Sequence, residues 1–84
     1  MTDKEVERVV ATAVRNIEEV DLELKTVRKI SPRSNIWKIL CANGGSETEF
    51  TLYVFPDVSA EELSDLTRER LSLYLPRWET TKTV

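Results

Sequence analysis

Apolar residues recur near the start of the chain at steps of three and four: Val6, Val9, Val10, Ala13, Ile17 and Val20. A single stripe at that period predicts an amphipathic helix over 3–20. Thr2 or Asp3 is placed to cap it, and Asp3, Glu5 and Glu7 suit the positive end of the helix dipole. The valines lower intrinsic helix propensity, so this helix needs something to pack against.

The period then changes to two. Leu22 to Ile30 predicts a strand with Leu22, Leu24, Thr26, Arg28 and Ile30 on one face and Glu23, Lys25, Val27 and Lys29 on the other. Ser31-Pro32-Arg33-Ser34-Asn35 is a turn by its proline and small polar residues. Ile36 to Ala42 predicts a second strand, with Trp37, Ile39 and Cys41 facing one way and Ile36, Lys38 and Leu40 the other. Asn43-Gly44-Gly45-Ser46 supplies the positive φ angles of a tight hairpin. Thr48 to Phe55 returns as the third strand, Phe50, Leu52 and Val54 alternating with Glu49, Thr51, Tyr53 and Phe55.

Ser59-Ala60-Glu61-Glu62 is a capping box, in which the serine accepts from the amide three residues on and Glu62 reaches back. It opens a helix running to about Leu75, where Pro76 stops it, with Leu63, Leu66, Leu73 and Tyr74 as its apolar stripe. The predicted order is α-β-β-β-α. This is an α+β fold in which two helices pack on one face of a three-stranded antiparallel sheet. Residues 1–76 form one domain, and 77–84 read as a C-terminal tail, partly disordered, with Trp78 its one anchored residue.

On this arrangement the inner face holds Trp37, Ile39, Cys41, Phe50, Leu52 and Val54. The outer face presents Lys25, Val27, Lys29, Ile36, Lys38, Leu40, Tyr53 and Phe55, which is more apolar than a face meant only for water.

Composition narrows the chemistry. The chain has 84 residues, too few for a second core. It has no histidine and a single cysteine, which removes the commonest general acid/base and leaves a zinc site only carboxylates to draw on. Cys41 lies between apolar neighbours with no histidine to activate it, so it reads as a core residue rather than a nucleophile. No enzyme, cofactor or metal is expected. One cysteine fits a reducing, cytoplasmic location, the charged N-terminus does not look like a signal peptide, and no apolar run is long enough to span a bilayer.

Charge adds one further pattern. Between Leu24 and Ser46 stand Lys25, Arg28, Lys29, Arg33 and Lys38 and no acid, although the formal net charge is −3. Basic residues beside Tyr53 and Phe55 on an open sheet are the ingredients of a nucleic-acid surface. The element order is shared with the double-stranded RNA-binding domain, and Ser31-Pro32-Arg33-Ser34 falls where that family carries a groove-contacting loop. The likeness stops at the order: Ser59-Ala60-Glu61-Glu62-Leu63 stands where such domains carry a lysine cluster, with the opposite charge. The bases can equally pair with Glu23, Glu47 and Glu49 across the sheet.

The expectation is therefore a small non-enzymatic cytoplasmic module that binds a protein partner, a second copy first, through its outer sheet face. Its contact residues are Lys25, Lys29, Ile36, Lys38, Leu40, Tyr53, Phe55 and Trp78. The alternative is weak nucleic-acid binding through Lys25, Arg28, Lys29, Arg33 and Lys38. Arg70, near the middle of the second helix's stripe, reads as a snorkelling side chain. Glu61, Glu62, Asp65 and Glu69 read as a solvated helix face.

Overall fold

The computed structural model describes residues 1–17 and 21–74. Trp78, the 77–84 tail, Val20 and the predicted helix end at Leu75 and Pro76 lie outside the described residues. The element order is the expected one: α1 (Asp3–Arg15), β1 (Glu23–Lys29), β2 (Ile36–Asn43), β3 (Ser46–Tyr53) and α2 (Ala60–Ser72). The strands form one antiparallel sheet in the order β1-β2-β3.

Both helices start the same way. The Thr2 hydroxyl accepts from the Glu5 amide at 3.2 Å and donates to the Glu5 carboxylate at 3.1 Å. Ser59 repeats this with Glu62 at 3.1 and 3.3 Å. In both helices the N3 glutamate meets the cap's hydroxyl, whereas the capping-box pattern of Ser59 and Glu62 implies the cap's amide.

β2 and β3 join through a two-residue turn, since Asn43 lies opposite Ser46. Gly44 takes φ +64°, in the left-handed region where a Cβ is disfavoured. From there the register runs without interruption to Ile36 opposite Tyr53, and the alternation expected for both strands follows.

β1 departs from expectation. Its register slips between Leu24 and Thr26, leaving Lys25 as an extra residue. A β-bulge of this kind reverses which face later residues occupy. Leu24 lies opposite Cys41, but Val27 lies opposite Ile39 and Lys29 opposite Trp37, on the helix side. Thr26 and Arg28 sit opposite Leu40 and Lys38 on the outer face. The predicted placement of Val27 and Lys29 outside, and of Thr26 and Arg28 inside, is reversed by this single residue.

The core joins Val6, Val10 and Val14 of α1 and Leu63 and Leu71 of α2 to Trp37, Ile39, Cys41, Phe50 and Leu52 of the sheet. In α2 the buried positions are Leu63, Thr67 and Leu71, each four residues from the last. The expected stripe through Leu66 and Leu73 is corrected: both are exposed. Thr67 takes a core position because its hydroxyl is satisfied locally, donating to the Leu63 carbonyl at 2.8 Å.

Candidate functional site

The register fixes the outer sheet face row by row. Ile36 opposes Tyr53, and Ile30, whose amide donates to the Ile36 carbonyl at 3.0 Å, extends that row across β1. The next row is Arg28, Lys38 and Thr51, followed by Thr26, Leu40 and Glu49, and then Glu23, Ala42 and Glu47. The face therefore grades from apolar at the β1–β2 turn, through basic, to acidic at the β2–β3 hairpin. Lys38 and Leu40 are half-buried at its centre.

The apolar row continues round the β3 side of the molecule. Tyr53 and Phe55 stack edge to face, ring centroids 4.7 Å apart, a favourable geometry for aromatic quadrupoles. The Tyr53 hydroxyl lies 3.5 Å from the Asn35 side-chain amide, beside the β1–β2 turn. Beyond Phe55 lies an open groove of about 340 Å³ between the end of β3 and α2, lined by Leu52, Tyr53, Phe55, Leu66 and Leu73, with Glu69 and Arg70. Ile30, Ile36, Tyr53, Phe55, Leu66 and Leu73 are thus one band, with Phe55 55% and Leu73 65% exposed. In a chain that is 32% charged, these six are all of the exposed large hydrophobic side chains among the described residues except Met1, a contiguous patch larger than single scattered apolar residues.

Of the expected contact residues, Ile36, Tyr53 and Phe55 come together in this band, and Lys38 and Leu40 adjoin it. Lys25 and Lys29 do not. Lys25, in the bulge, pairs with Glu23 at 3.3 Å. Lys29 is turned to the helix side, where it holds Asp3 of α1 at 2.9 Å and lies 5.7 Å from the centre of the Trp37 ring. Arg70 stands at the groove and not within the buried seam of α2. Ile30, Leu66 and Leu73 escaped sequence reasoning. Leucines at helical spacing look like core, and only the four-residue seam through Thr67 shows that Leu66 and Leu73 lie off it.

Comparison with protein families, curated proteins and solved structures finds no match to this chain. The site rests on its own chemistry.

Among the described residues, no three His, Cys, Asp or Glu side chains gather as a metal would require, and no helix is long and apolar enough to cross a membrane. Cys41 is buried, and burial pushes its thiol up to about 11, away from the thiolate a nucleophile needs. The five-base segment is divided by the fold. Lys25 and Lys29 are held by acids, Arg33 sits in the turn after β1, and only Arg28 and Lys38 lie side by side. Neither makes an ion pair among the described residues.

Proposed function

We propose that this protein is a small non-enzymatic binding module that docks a protein partner on the band formed by Ile30, Ile36, Tyr53, Phe55, Leu66 and Leu73. The observation that carries this reading is the continuity of the band from the outer sheet face, through the Tyr53–Phe55 stack, to the α2 groove. Two aromatic anchors beside an apolar groove with a charged rim have the composition of an interface centre. Lys38 and Leu40 extend the contact across the sheet. A reducing, cytoplasmic setting remains part of the proposal.

Two substitutions at opposite ends of the band test it. Ile36→Lys and Leu66→Lys both alter exposed side chains, so folding is retained, while proteins retained by immobilised wild-type chain are released at least tenfold more readily. An unchanged set of retained proteins with both variants would remove the band from the function.

The neighbouring pair Arg28 and Lys38, unpartnered by acids and one row from Tyr53, supports a second reading as a weak single-stranded nucleic-acid site. Binding of a labelled oligonucleotide that weakens steeply with salt and is lost in Lys38→Glu would favour it. Salt-independent binding would exclude it.

A further inference from the structure

We propose that β3 pairs edge to edge and antiparallel with β3 of a second copy of this chain, joining two three-stranded sheets into one of six strands. The contact meets the apolar band at Tyr53 but has its own physical basis, the backbone.

β3 is an outer strand, and the hydrogen-bond pattern says which of its groups are unused among the described residues. The Val54 amide donates to the Asn35 carbonyl at 2.8 Å. Bonded and non-bonded pairs alternate in an antiparallel ladder, so Leu52, Phe50 and Thr48 also turn their backbone groups toward β2. Glu47, Glu49, Thr51 and Tyr53 turn both N–H and C=O to the open side, and the register shows no bulge along this length. A regular edge of this kind is a template for another strand.

The opposite edge is protected. On β1 the Ile30 amide donates to Ile36, so Arg28 and Thr26 face β2 and only Val27 and Lys29 face outward before the Lys25 bulge interrupts the ladder. Lys29 is further tied to α1 through Asp3. The two edges of one sheet thus differ, and the unprotected one is β3.

Charge selects the occupant and the register. Glu47 and Glu49 lie on the outer side of β3, and like charges directly opposite each other are destabilising. Of the two antiparallel self-pairings that set outward groups against outward groups over the longest overlap, one sets Glu49 against Glu49. The other centres on Phe50 opposite Phe50, which places Glu49 opposite Thr51 and Glu47 opposite Tyr53. Every outward backbone group then meets an outward group, and no acid meets an acid. Of these two long pairings only this one is free of opposed acids, and it is symmetric, as an isologous two-fold contact requires.

The test combines oligomeric state with amide hydrogen exchange by NMR on the full chain. Wild type is expected to pass from monomer to dimer as concentration rises, with the Glu49 and Thr51 amides slowing at least tenfold in the dimer. Thr51→Pro, which removes an outward N–H at an edge position where proline is tolerated, is expected to stay monomeric. Should that variant fail to fold, Thr51→Glu sets an acid opposite Glu49 and is expected to weaken the dimer about tenfold, and Thr51→Lys to tighten it. Ile36→Lys, which disables the apolar band, leaves dimerisation unchanged and so separates this contact from partner docking. A chain monomeric at millimolar concentration overturns the proposal. So does a dimer in which the Glu49 and Thr51 amides exchange as fast as in the monomer, or one that Thr51→Glu leaves as tight as wild type.

Discussion

Thr67 occupies a core position that hydropathy alone assigns to a leucine. Its hydroxyl adds a second bond to a carbonyl that the helix already satisfies, so removing it strands no donor. Thr67→Val is therefore expected to fall within about 1 kcal/mol of wild type, whereas Thr67→Ser, which deletes a buried methyl, costs roughly 1 kcal/mol more in denaturant unfolding. The hairpin glycines separate in the same manner. Neither would bring a Cβ within 4 Å of another group, so conformation alone decides. Gly44→Ala is expected to lose about 1–2 kcal/mol at its φ of +64°, while Gly45→Ala is tolerated. For Cys41 the sign of the linkage follows from burial. Its thiol sits near 11 in the folded chain against 9.0 ordinarily, so its contribution is fully present below pH 9 and is lost as pH rises toward 11. The difference in unfolding free energy between wild type and Cys41→Ala is expected to shrink across that window, and alkylation of Cys41 to await unfolding.

At the scale of elements, the β1 bulge shows where pattern reading stops. Strands β2 and β3 are legible because strict alternation and the glycines of the turn agree, although the length of the turn, two residues, is not fixed by the sequence, and from these strands come Ile36, Tyr53 and Phe55 of the candidate site. In β1 the alternation was imperfect for a physical reason: Lys25 opposes no residue, and a parity argument carried through it inverts everything beyond. In α2 the three leucines of the predicted stripe outweigh Thr67 in hydropathy, so the period assigns two solvent-facing ones, Leu66 and Leu73, to the core and not to the site. The bulge makes its own prediction. Deleting Lys25 leaves Leu24, Thr26 and Val27 in correct alternation against Cys41, Leu40 and Ile39, so the melting temperature is expected to hold. Deleting Val27 closes the same bulge but sets Thr26 opposite Ile39 and Lys25 opposite Leu40, so the packed Val27 side chain is lost and the melting temperature is expected to fall.

At the scale of the molecule, the two helices meet each other as well as the sheet: Val10 and Val14, early in the chain, share a core with Leu63 and Leu71 near the described end. The sheet that lies between them in sequence is a meander of neighbours, closed by short turns. That contrast has a consequence in time rather than in energy. Hairpins form on the scale of about microseconds, but bringing α1 to α2 closes most of the chain into a loop, and the entropy of that closure must be met before its contacts reward it. The helix–helix seam is therefore expected to form after the folding barrier and the β2–β3 hairpin before it. In stopped-flow kinetics, Gly44→Ala should chiefly slow folding, while Val10→Ala should chiefly quicken unfolding. The contact that ties the two ends together would then set how long the folded chain lasts, and the glycine turn how soon it arises.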